Sequence, residues 1–193
     1  MMTKQDAKES IDMMAKLVEQ IGVAEGYDPG IGHGVKIELA KFLMYLSASD
    51  GEIMWPEASL ISELCDLNLT PQTIGRFVKE NNIYSTEFEN TPPAVLQVLT
   101  SADNMLMERG SDVPDVLRMI INTYKAVAAM LITSDGDIDS SEKADYQIYI
   151  DMMESYVASN SIRYRNQTSG FTKNSGDASA PTKGGVSAPK KKG

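Results

Sequence analysis

A short acidic turn occurs twice in this chain, 85 residues apart, and constrains the fold more than any other feature. Ser49-Asp50-Gly51-Glu52-Ile53 is followed by Glu57, and Ser134-Asp135-Gly136-Asp137-Ile138 is followed at the same spacing by Glu142. In each copy an apolar run with helical spacing precedes the turn and another follows it. A helix–turn–helix unit that appears twice points to an internally duplicated, all-α domain.

The rest of the chain agrees with that class. Helical periodicity predicts about seven helices and no sheet. The first runs from about Thr3 to Ile21, and residues 22–34 read as a flexible connector that holds the only histidine, His33. A second helix spans about Val35 to Ala48. Pro56, Pro71, Pro92 and Pro114 then mark further helix starts, two of them preceded by a capping threonine, Thr70 and Thr91. A last helix carries Tyr146, Tyr149, Ile150, Met153, Tyr156 and Val157. The expected architecture is a single compact bundle over residues 1–160 with an internal two-fold repeat, its halves at about 35–80 and 114–158. Residues 161–193 are rich in Ser, Gly, Pro and Lys with almost no large apolar side chain, so a disordered tail is expected there.

Charge separates the two parts. Residues 161–193 hold seven basic residues and one acid, Asp177, whereas residues 1–160 hold 26 acids against 11 bases. A body that acidic repels phosphate backbones and attracts cations, so nucleic-acid binding is not expected. The basic tail is too sparse for more than weak contact with anionic surfaces, since only Lys190, Lys191 and Lys192 cluster. A lone cysteine, Cys65, fits a reducing compartment. The first ten residues include Lys4, Asp6, Lys8 and Glu9 and lack a signal-peptide core, so a cytoplasmic location is expected. No histidine stands beside a candidate nucleophile, and an enzyme is not expected.

The turns invite comparison with the calcium loop of an EF-hand. With Gly136 at the loop's sixth position, Asp135, Asp137, Asp139 and Glu142 fall at positions 5, 7, 9 and 12. The first copy matches through Asp50, Gly51, Glu52 and Glu57, with Met54 at position 9. Positions 1 and 3 hold Leu131 and Thr133, or Leu46 and Ala48, so each turn is only the second half of such a loop. Calcium takes six to eight oxygens, more than half a loop offers. Two turns on one face could still hold a divalent cation, calcium foremost, among Asp50, Glu52, Glu57, Asp135, Asp137, Asp139 and Glu142. The alternative is structural. Asp139 reads as an N-cap with Glu142 reaching back three residues later, and the glycines simply permit the turn. Ile53 and Ile138 are expected to plug the core beneath the turns. Trp55 is expected to be buried; exposed, it would form a partner contact with Met54.

This arrangement resembles the TerB-like family of tellurite-resistance domains, over roughly residues 35–157. Two related halves of those domains each carry an Asp-Gly-acidic-aliphatic turn followed by glutamate, as do Asp50-Gly51-Glu52-Ile53 with Glu57 and Asp135-Gly136-Asp137-Ile138 with Glu142. The resemblance implies a compact helical fold, divalent-cation binding at the acidic turns, and a bacterial stress-response role. It further implies a scaffold in a membrane-associated complex of protein partners rather than an enzyme. Met54-Trp55-Pro56 departs from Asp139-Ser140-Ser141, making the two turns unequal, and the basic tail lies outside the signature. A metal-free protein–protein scaffold, with the turns as caps only, is the competing expectation.

Overall fold

The computed structural model describes residues 3–24, 26, 29–111, 114–134, 136 and 139–165, apart from the side chain of Thr86. Among them are eight helices and no strand: α1 (Lys4–Ala24), α2 (Ile31–Ser47), α3 (Trp55–Cys65), α4 (Pro71–Glu80), α5 (Thr86–Asn90), α6 (Ala94–Glu108), α7 (Val116–Ile132) and α8 (Ser140–Asn160). The eighth helix, beyond the seven the periodicity predicts, is α5. It is one short turn whose N-cap Ser85 accepts the Phe88 N–H, too brief to leave a periodic signal. No described helix is long and apolar enough to cross a membrane.

The duplication is visible in the backbone. Helices α2 and α7 are both 17 residues long, and their first residues, Ile31 and Val116, are 85 apart. Helices α3 and α8 begin at Trp55 and Ser140, again 85 apart. The buried faces correspond as well: Val35, Leu39, Phe42, Leu43 and Leu46 occupy the positions of Ile120, Tyr124, Val127, Ala128 and Leu131. Helices α2 and α7 pack together at the centre, α3 touches α7, and α8 touches α2. Each unit's second helix thus lies on the other unit's first. Phe42, Tyr124 and Tyr149 join three of these helices, with Phe42 stacked on Tyr149 at 4.5 Å and 5.4 Å from Tyr124.

Helices α1 and α2 extend further than their periodicity indicates, and the physical cause is tertiary. Residues 22–24 and 31–34, expected in a connector, are helical, and His33 stands exposed on the first turn of α2. The Glu19 carboxylate accepts the N–H groups of Gly30 and Gly32, each at 2.7 Å. A carboxylate at a helix N-terminus satisfies orphan donors and meets the positive end of the dipole. These bonds hold the Glu19 carboxyl below its usual pKa. Gly32 permits the approach, since a Cβ there would lie 2.4 Å from the Ala15 carbonyl oxygen. Glu38 does the same for α6, accepting from Ala94 N–H at 2.8 Å and Val95 N–H at 3.1 Å.

The packed chain also continues past Asn160, where the composition changes. Ser161 is buried and residues 162–165 form a helical turn. Ile162 N–H donates to Asn104 at 2.8 Å, the Tyr164 hydroxyl donates to Asp115 at 3.0 Å, and Arg163 forks onto buried Asp103 at 2.7 and 3.1 Å. The remaining tail positions lie outside the described residues.

Asp66 ends α3 in the left-handed conformation at φ 56° and pairs with Lys8 and Lys36, joining α1, α2 and α3. Hydrogen bonds from the two ammonium groups, Lys36 first, lower its carboxyl to about 2. A depressed carboxyl contributes stability that is complete above the unfolded value near 4 and is lost as pH falls toward 2. The melting temperature of the Asp66→Asn variant is therefore expected to fall less steeply than wild type between pH 4 and 2. Parallel curves would disprove the linkage.

Candidate interaction site at the paired turns

The two turns are built alike. Helix α2 closes with the N–H groups of Ala48 and Ser49 on the Leu46 carbonyl, and α7 with those of Thr133 and Ser134 on the Leu131 carbonyl. Gly51 and Gly136 then reverse the chain at φ 90° and 88°, a conformation that disfavours any side chain. The next helices start from extended caps, Met54 and Asp139.

The carboxylates largely serve this backbone. Asp50 accepts the Glu52 N–H at 2.8 Å. Glu57, 3% exposed, accepts the Met54 N–H at 2.7 Å, so it caps α3 even though Met54 has no oxygen to return the bond. Asp139 accepts the Ser141 N–H at 2.6 Å and also bonds the Ser141 hydroxyl, which lowers its pKa. Glu142 is buried in the first turn of α8. Asp50 and Glu52 are exposed, and Ile53 is partly buried against the core. Asp135, Asp137 and Ile138 lie outside the described residues. Among the described residues no three acidic, histidine or cysteine side chains are placed to hold a metal ion. Among the described residues, Glu57 and Asp139 cap the helices that follow the turns.

Both turns sit at one end of the bundle. Pro56, Ser59 and Leu60 at the start of α3 face Met130, Thr133 and Ser134 at the end of α7 across a groove of about 370 Å³. Reciprocally, Asp145 of α8 reaches the Tyr45 hydroxyl near the end of α2. The same hydroxyl donates to Glu89 at 3.2 Å. Burial, and then the nearby charge of Glu89, raise Asp145 above the usual carboxylate range. Tyr84 donates to the Tyr45 carbonyl at 2.6 Å; burial first, then the charges of Asp145 and Asp50, push its own pKa up.

Trp55 is 62% exposed and Met54 45% exposed, correcting the expected burial of the tryptophan. The indole follows Met54 at the first helical position and points away from a core already filled by Ala58, Ile61 and Leu64. Cys65 is buried, and desolvation pushes its thiol up to about 12, which suits a structural residue and not a nucleophile. Neither Tyr84, Phe88 and Glu89 nor Met130 stood out in the sequence. Only the 85-residue register, which makes Tyr45 the counterpart of Met130 and Asp145 that of Leu60, could have paired them.

Comparison with protein-family models, curated proteins and solved structures found no match for this chain.

Proposed function

We propose that this chain is a non-enzymatic protein-interaction module whose docking face is the turn-bearing end of the bundle, centred on Met54 and Trp55. The observation that carries this reading is the exposed indole. Tryptophan is enriched among the residues that carry most of the energy of protein interfaces. The exposed carboxylates Asp50 and Glu52 next to them favour a partner with basic residues around its contact. The test is capture of partners from the source cells on the immobilised chain, with EDTA present. A partner held by the wild type and lost from Trp55→Ala is expected, the loss amounting to at least ~2 kcal/mol, roughly thirtyfold in affinity. Equal retention by both proteins would reject the docking face.

A second reading follows the TerB resemblance: a calcium-responsive domain of the bacterial stress-response type. It is supported by the matched backbone of the two turns and by their common end of the bundle. Millimolar calcium would then raise the melting temperature, and the Asp50→Asn, Asp135→Asn pair would remove the effect. Identical melting curves in calcium and in EDTA would sink it.

A further inference from the structure

Ion pairing singles out one lysine. Among the described residues four lysines are partly buried: Lys8, Lys36, Lys41 and Lys125. Lys8 and Lys36 meet Asp66, Lys36 also meets Asp12, and Lys125 meets Glu154. Lys41 alone has no carboxylate or other hydrogen-bond partner among the described residues. A cation taken partly out of water is unfavourable unless an anion or an acceptor compensates it. With 26 acids against 11 bases over residues 1–160, the missing partner does not reflect a shortage of carboxylates.

Lys41 also stands where two cavities meet. Helices α1, α2 and α6 form a cleft of about 300 Å³ walled by Val18, Ile31, Val35, Ile37, Val95 and Val98. A second cavity of about 170 Å³ lies between α2, Tyr149 and the segment from Phe88 to Pro93. The two share Glu38 and Lys41, the only charged residues that line either. Glu38 turns its two oxygens to the Ala94 and Val95 N–H groups, at 2.8 and 3.1 Å, where its charge meets the positive end of the α6 dipole. The cleft therefore combines apolar walls with one uncommitted cation. Small-molecule sites have this make-up, with a few polar groups fixing the orientation of a largely apolar ligand.

We propose that the cleft binds a medium-chain aliphatic carboxylate, its chain against Val18, Ile31, Val35 and Val98 and its head on the Lys41 ammonium. One cation suits one negative charge. A phosphate head, with nearly two charges and three strong acceptor oxygens, would call for more donors than a single lysine, and no second cation lines either cavity. At ~30 Å³ for a group the size of a water molecule, the cleft admits about ten chain carbons. Gly34 keeps one wall open: it is exposed, and a Cβ there would meet nothing within 4 Å. The site shares no residue with the docking face at Met54 and Trp55, so either can hold without the other.

The probe is sodium decanoate, titrated calorimetrically into the full chain. Saturable one-to-one binding with a Kd of about 100 µM is expected, and decanol, with the same chain and no charge, should bind at least tenfold more weakly. Lys41→Met keeps the apolar stem and loses the charge, so it should weaken decanoate at least tenfold and leave decanol unchanged. Lys41→Arg should retain decanoate within about threefold, since it keeps the charge. Gly34→Leu puts a better helix former at an exposed helical position and its side chain into the cleft. Its Tm should equal or exceed that of wild type while its affinity for decanoate falls at least tenfold. No saturable heat up to about 5 mM decanoate overturns the proposal. So does equal decanoate binding by wild type and either Lys41→Met or Gly34→Leu. Decanol bound as tightly as decanoate also overturns it, reducing the site to an apolar gap. Binding only by a chain ended after Arg165 would assign the cleft to residues 166–193, and a mass in sedimentation that decanoate halves would assign it to a second copy.

Discussion

Replacing Arg163 with methionine will cost about 3 kcal/mol in urea unfolding, although this arginine sits beyond the last long helix. Its guanidinium forks onto Asp103, whose side chain is 0% exposed, while that of Arg163 is 16% exposed. Removing the cation leaves a carboxylate in a site with little water, the costly half of breaking a buried pair. Breaking such pairs costs about 3–5 kcal/mol, and the partial exposure of Arg163 places this one at the lower end. The Asp103→Leu, Arg163→Leu double variant should recover most of the loss, because it removes both charges. Truncation after Asn160 should reproduce it, since Ser161 and Tyr164 leave with Arg163. Unfolding of Arg163→Met within about 0.5 kcal/mol of wild type would show that water already screens the pair.

The largest core effect is expected at Phe42. Its ring stacks on Tyr149 at 4.5 Å and packs near Tyr124, tying α2 to α7 and α8. Truncation to alanine will cost about 3–5 kcal/mol, the sum of lost apolar burial and the cavity left behind. Val127 occupies the same position in the second unit and is equally buried. Its replacement by alanine removes only two methyl groups and should cost about 1–2 kcal/mol, at ~0.8 per buried carbon. Equal losses at the two positions would mean that the Phe42 ring contributes no more to the core than two methyl groups do.

The all-helical class, the duplicated turns and most helix starts were legible in the chain. Those features depend on neighbours within one or two turns: Thr70 bonding Thr73, Pro56 fitting the first turn of α3, apolar residues returning every three or four positions. The capping role of Glu57 was written in its spacing from Met54, and so was that of Asp139. The length of α2 was hidden, because its start is held by Glu19 from another helix. Short α5 gave no periodic signal, and Ser161 to Arg165 carried the composition of a tail.

By itself the sequence determined what is local: the helices, the two glycine-pivoted acidic turns and their 85-residue register. Tertiary structure decided what those turns stand beside. It exposed Trp55 at the start of α3, laid Tyr84 and Phe88 against Tyr45, and brought Glu38 to the start of α6 across 56 residues of chain. The physical reason is that caps and periodicity act between near neighbours along the chain. Which rings stack and which distant carboxylate caps a helix depend on side chains that meet only after the helices have packed.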